Sequence, residues 1–129
     1  MPRLSDVMRP DFIEVAPEDT LGEVAERMNA KNVGAVVVKD FGTLIGILTE
    51  RDLLKAMAAR VHSSEARVRQ WMTADPVTVT ADTDIEAASR LMVEHGFRHL
   101  PVLDDDGQVA GVVSLRRVVS AVQAAAGPA

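Results

Sequence analysis

The chain has no cysteine among its 129 residues, which excludes disulfides and thiolate chemistry and leaves no mark of an oxidising compartment. It has no apolar run near the roughly 18–20 residues that a membrane span needs. Met1-Pro2-Arg3-Leu4-Ser5-Asp6 shows no signal-peptide core. The expectation is a soluble, cytoplasmic protein with no membrane partner. Positive charge is in deficit, 14 Lys and Arg against 19 Asp and Glu, for a net charge of −5. A binder of nucleic-acid backbone would need a dominant basic face, so nucleic acid is not an expected partner. Catalytic signatures are missing too: there is no GxSxG, no HExxH, no P-loop and no GxGxxG opening a helix after a strand. With no nucleophile–base pair in view, the chain is not expected to be an enzyme.

What the chain does have is a repeat. Met8 matches Met72, Val15 matches Val79, Met28 matches Met92, Val38 matches Val102 and Asp40 matches Asp104, all at an offset of 64. One extra residue in the Asp104–Asp106 turn makes the offset 65, and then Gly42 matches Gly107, Gly46 matches Gly111, Thr49 matches Ser114 and Arg51 matches Arg116. Two copies point to a pseudo-twofold module rather than a solenoid, which needs three or more units. At 47% hydrophobic residues, 129 residues can bury one good core, whereas one copy is about half the comfortable size. The expected division is residues 1–61 and 62–129, together one module.

Each copy reads as β-α-β-β-α, so the fold class is α/β. In the first copy, Phe12–Val15 is extended and Asp19 or Thr20 caps a helix whose Leu21, Val24, Ala25 and Met28 share one face. Asn32 or Gly34 ends that helix. Ala35–Val38 and Thr43–Leu48 are strands around a Lys39–Gly42 turn, and Thr49 caps a helix to about Ala59 with Leu53, Leu54 and Met57 facing inward. The second copy places a strand at Val77–Thr80, a helix over Asp82–His95, strands at Leu100–Leu103 and Gln108–Val113, and a closing helix over Ser114–Ala125. A short helix over Ala66–Met72 holds the one Trp, and the last residues from Ala124 to Ala129 read as a fraying terminus.

Metal chemistry has little support. His95 and His99 are four apart, but Gly96 ends the helix between them and no carboxylate completes a site. Asp104-Asp105-Asp106-Gly107 lacks the later ligands of a calcium loop and reads as a solvated hairpin turn. The informative segment is Gly46-Ile47-Leu48-Thr49-Glu50-Arg51-Asp52, where a strand runs directly into a helix. A helix start offers unpaired N–H groups and a positive dipole end. Thr49 can place its hydroxyl at that mouth, and Asp52 can accept hydrogen bonds from a vicinal diol such as ribose. Equally, Thr49 is suited to be an N-cap, with Asp52 answering the helix dipole.

These residues resemble a tandem pair of CBS motifs, the family named after cystathionine β-synthase. The resemblance is carried by Val7-Met8-Arg9 and Trp71-Met72-Thr73, by Leu100-Pro101-Val102-Leu103-Asp104, and by the Gly-x-x-(Thr/Ser) turns starting at Gly46 and Gly111. It covers nearly the whole chain. It implies a regulatory Bateman module that senses an adenosine compound, AMP, ADP or ATP, in a cleft shared by both repeats, and that pairs into flat dimers. By the same resemblance Asp52 holds the ribose with Thr49 beside it, Ile47, Thr73, Val77 and Phe97 surround the base, and Arg98 and His99 meet phosphate. The second cleft is expected to be degenerate. Ser114 keeps the hydroxyl, but Arg117 stands at the ribose position and, having donors only, cannot accept from a diol. Its other wall would be Arg9, Ile13, Val33 and Gly34.

The functional expectation is a stand-alone, energy-sensing CBS pair with no cofactor beyond the regulatory nucleotide. It would signal through a homodimer or through a protein partner that the sequence does not name. The alternative is a dimerisation or docking module that has lost ligand binding. Dimerisation is expected from Ala56, Met57, Ala58, Ala59, Met92, Val118, Val119, Ala121 and Val122, which exceed what one core can cover.

Overall fold

The structure is a computed structural model that describes residues 2–127. The chain divides into two compact units. The first is Phe12–Pro76; the second is made by the described residues before Phe12 and after Pro76. The units therefore do not follow the sequence repeats: the segment that opens each repeat is built into the unit holding the other repeat's hairpin.

In the first unit a four-stranded sheet has the order β1-β2-β3-β4, with β1 Glu14–Val15, β2 Ala35–Asp40, β3 Thr43–Thr49 and β4 Thr73–Ala74. β1 runs parallel to β2, and the other pairs are antiparallel. Val36, Val37 and Val38 are wholly buried, as an uninterrupted β-branched run requires. The β2–β3 turn is tighter than expected. Lys39 and Asp40 stay in the strand, and only Phe41 (φ 50°) and Gly42 (φ 80°) make the corner, the positive-φ pair that a two-residue hairpin needs. α1 (Leu21–Lys31) starts at Thr20, whose side chain accepts from the Glu23 N–H at 3.2 Å, and stops at left-handed Asn32. Its Leu21, Val24 and Met28 pack with Val36, Val38 and Leu48 as one core. α2 (Glu50–Ala58) adds Ala56, and α3 (Val68–Trp71) adds Val68.

The second unit has a three-stranded sheet, β5-β6-β7, from Val79–Thr80, His99–Leu103 and Val109–Ser114. α4 (Ile85–His95) and α5 (Leu115–Ala126) pack on it through Ile85, Ala88, Met92 and Val118. A 3₁₀ turn at Leu4–Asp6 enters the same core with Leu4 fully buried, its N–H bonded to Thr83 O at 2.9 Å. α4 starts three residues later than expected. Asp84 is its N-cap, accepting from the Glu86 and Ala87 N–H groups, while Asp82 sits in the preceding turn and accepts from the Thr80 hydroxyl at 2.6 Å. α5 runs regularly to Ala126; of the tail expected to fray, Pro128 and Ala129 lie outside the described residues.

Two packing expectations need correction. Leu53 is partly buried on the core, but Leu54 and Met57 are 62% and 74% exposed, because α2 is short and directs only Ala56 and Asp52 fully inward. Conversely Ala56, Met92 and Val118, expected on an uncovered face, are core residues. Among the described residues no helix is long and apolar enough to cross a membrane.

Candidate functional site

In the first unit the strand-to-helix corner at Thr49 is a closed capping box. The Thr49 side chain accepts from the Asp52 N–H at 3.4 Å; in return Asp52 Oδ2 accepts from the Thr49 N–H at 2.9 Å and from its hydroxyl at 3.1 Å. Asp52 is only 8% exposed, one of two buried polar or charged residues among the described chain. All the bonds to its carboxylate fall on Oδ2, so Oδ1 keeps its acceptor capacity. The capping role thus exists, and it occupies half the carboxylate.

The sheet sets the remaining first-unit residues around this corner. Ile47 lies two residues before Thr49 and is buried. β4 pairs with β3 so that Thr73 stands directly opposite Ile47. Ala35 pairs with Thr49, and the neighbouring Gly34 carbonyl accepts the first N–H of α2, from Glu50, at 3.0 Å. Gly34, expected on the wall of the other site, is therefore bonded to the helix that carries Asp52. Ile13 is a core residue and Val33 packs against the same core.

The other expected residues lie in the second unit. Val77 is exposed ahead of β5. Phe97 is partly buried in the second core and meets the His95 ring edge-on at 5.4 Å. Arg98 is exposed, and its carbonyl accepts the Leu115 N–H at 2.8 Å, at the start of α5. His99 pairs with Ser114, which caps α5 by accepting from the Arg117 N–H at 3.3 Å. Arg9 exchanges both backbone hydrogen bonds with Val112, while its guanidinium is 3.4 Å from Asp11. The second unit thus gathers Arg9, Phe97, Arg98, His99, Ser114 and Arg117; the first gathers Ile47, Thr49, Asp52 and Thr73 with Val33 and Gly34.

Among the described residues no three or more of His, Asp and Glu come together as a metal site. An open groove of about 410 Å³ in the first unit is lined by Val61, His62, Glu65, Ala66, Gln70 and Trp71, none of them expected site residues. Sequence reasoning missed the closeness of Met72 to Gly46: a Cβ built there would lie 2.6 Å from Met72 Sδ. The signal was available, since Met and Gly recur at matching places in both copies.

The family model for the CBS domain matches residues 4–59 and again 68–124. An uncharacterized 17.7 kDa protein of Acidianus ambivalens is 36% identical over 121 residues, covering 93% of this chain and 73% of that protein. The crystal structure of the CBS-domain containing protein ATU1752 from Agrobacterium tumefaciens superposes with a TM-score of 0.85 at 34% identity, over 94% of this chain and 99% of that one. CBSX2 of Arabidopsis thaliana, solved in complex with AMP, gives a TM-score of 0.78 at 29% identity over 98% of this chain and 99% of that one.

Proposed function

The chain belongs to the CBS domain family, and from that premise we propose that it is a regulatory module binding an adenosine nucleotide, AMP, ADP or ATP, with Asp52 as the ribose ligand. The observation that carries the reading is the half-occupied carboxylate: buried at a helix start, with Oδ2 committed to Thr49 and Oδ1 open as an acceptor. A diol presents two O–H donors, and an ionised oxygen held in place makes the stronger class of hydrogen bond to them. Ile47 supplies apolar contact for a base, and Thr73 a polar group beside it. The AMP complex of CBSX2 supports an adenosine ligand. Arg98 is assigned to phosphate by the family resemblance, with His99 as its partner. The proposal includes a cytoplasmic setting, a homodimer or protein partner as output, and no catalysis.

A thermal-shift panel with AMP, ADP, ATP, NAD and S-adenosylmethionine tests the reading. Ligand at 100 times its Kd adds about 2.7 kcal/mol of stability, a shift of several degrees for a domain of this size. A shift with at least one adenosine nucleotide is expected, and silence across the panel contradicts it.

A second reading, an interaction module without ligand, is favoured by one observation: Leu54 and Met57 form an uncovered apolar face on α2. It predicts self-association or docking with no thermal response to any nucleotide.

A further inference from the structure

The segments that open the two repeats are strapped to their units by the same bonds but differ in what they expose. In the first unit the Val68 N–H donates to Asp19 O and the Arg69 N–H to Pro17 O, both at 2.9 Å. In the second, the Leu4 N–H donates to Thr83 O and the Ser5 N–H to Ala81 O, again at 2.9 Å and at matching positions. Each strap begins in a box: the Arg67 N–H donates to Gln70 Oε1 and the Arg3 N–H to Asp6 Oδ2, each at 2.9 Å. One residue further on the copies part. The second unit has Val7, packed against its core; the first has Trp71, the one tryptophan of the chain, packed against its own. A valine satisfies this packing position, so the indole carries surface that the core does not require.

That surface lines the open groove of about 410 Å³ together with Glu65 and Gln70. Backbone hydrogen bonds fix the groove's shape. The Val61 N–H closes α2 on Ala56 O at 3.3 Å, and Arg60 takes a left-handed conformation (φ 60°) that turns the chain off the helix. His62 O accepts from the Glu65 N–H at 3.0 Å and the Ala66 N–H at 2.8 Å. The turn is tied to the start of α1 by the Leu21 N–H on Ala66 O and the Gly22 N–H on Ser63 O, both at 2.9 Å. Glu65 is the one carboxylate on the groove; it is exposed and makes no side-chain hydrogen bond or ion pair among the described residues. No Lys or Arg lines the groove: Arg67 donates to Glu18 O at 2.9 Å, and Arg69 pairs with the Glu18 carboxylate. Gln70 is held through its oxygen, which leaves its amide N–H groups as donors.

We propose that this groove docks an arginine side chain of a partner protein, its guanidinium stacked on the Trp71 indole and paired with the Glu65 carboxylate. The inference gives a chemistry to the protein partner of the regulatory reading, but it rests on the groove alone and holds with or without nucleotide. A planar cation is attracted to the face of an indole, and its fork of N–H donors matches a carboxylate. Lysine offers a strongly hydrated point charge that cannot fork. The Gln70 amide is placed to serve a main-chain carbonyl of the partner. An open groove suits a side chain carried on a larger surface, whereas small-molecule sites enclose most of their ligand. The net charge of −5 favours approach of a basic partner.

The test titrates blocked Gly-Gly-X-Gly-Gly peptides, with X arginine, lysine or citrulline, into the full chain, read by Trp71 fluorescence and by calorimetry. The arginine peptide is expected to change Trp71 emission saturably, with a Kd on the order of 1 mM for one anchored side chain. Lysine and citrulline are each expected to bind about threefold to fivefold more weakly. Glu65→Gln should weaken the arginine peptide by a similar factor, the upper range of an exposed ion pair, and bring arginine and citrulline together. Glu94→Gln, which removes an exposed carboxylate on α4, should leave the affinity unchanged. Trp71→Leu keeps an apolar side chain at the core and should erase the preference for arginine over lysine, read by calorimetry with the melting temperature alongside. Equal losses in Glu65→Gln and Glu94→Gln would mean attraction to net charge alone and overturn the site. Citrulline binding as well as arginine, or an arginine peptide without saturable response, overturns it too. If Trp71 emission changes on dilution of the protein alone, with sedimentation showing a dimer that dissociates in step, a second copy covers the groove and the separate partner is overturned.

Discussion

Asp52 and Arg117 are each the third residue of a helix, in matching places of the two repeats, and they do opposite things at the cap. Asp52 completes a reciprocal box with Thr49, accepting from both its N–H and its hydroxyl. Arg117 contributes only its backbone N–H, to Ser114 Oγ at 3.3 Å. One corner therefore ends in a buried acceptor, the other in an exposed cation. Arg117→Ala is expected to leave AMP affinity within about twofold of wild type by calorimetry. A loss matching that of an Asp52 variant would remove the proposed asymmetry.

The cap at Thr49 can be weighed apart from the ligand. Thr49→Val removes the acceptor for the Asp52 N–H and the hydroxyl donor to Oδ2, and is expected to cost about 1 kcal/mol of stability in urea unfolding. Thr49→Ser keeps the oxygen and should recover most of it. Equal stability of the two variants would mean that the Thr49 hydroxyl contributes nothing to the cap.

A pH effect follows from Asp82. The hydrogen bond from the Thr80 hydroxyl, with the Arg3 charge nearby, holds its carboxyl below the usual carboxylate value. A depressed folded-state pKa adds stability above the unfolded pKa, and that stability is lost as pH falls through the folded value. Thr80→Val should raise the Asp82 midpoint, followed by carboxyl chemical shifts between about pH 2 and 5, in the region of an ordinary Asp. A midpoint that does not move would place the cause elsewhere.

The exposed face of α2 makes a separate prediction. Leu54→Glu with Met57→Glu removes apolar surface that no described residue covers. If this face is a dimer contact, sedimentation velocity shows the variant as monomer where the wild type is dimer, with the fold intact by circular dichroism. A dimer that survives both charges does not use this face.

Much of the fold was legible because its signals are local. The run Val36-Val37-Val38 could only be a strand covered on both faces, and Thr20, Asn32 and Gly96 cap where their side chains and backbone allow. Inward and outward assignments on α2 were less legible, since Leu53, Leu54 and Met57 are all apolar and only tertiary contact tells them apart. Asp82 and Asp84 are both good caps, and the one nearer the first buried residue, Ile85, prevailed. At the site, the motif identified Thr49 and Asp52, but not that the box would occupy one carboxylate oxygen and leave the other. The register that sets Thr73 against Ile47 joins residues 26 apart in sequence and has no local signature.

The central claim is that Asp52 holds a ribose in addition to closing its cap, and Asp52→Asn separates the two roles. An asparagine side-chain oxygen can still accept from Thr49, while its amide group, a donor, replaces the open acceptor. Calorimetric titration of AMP into wild type and Asp52→Asn, with melting temperatures alongside, is the direct measurement. The account predicts a nearly unchanged melting temperature and AMP affinity weaker by about tenfold to a hundredfold, the range of one charged hydrogen bond. AMP binding equally well to both proteins would contradict it.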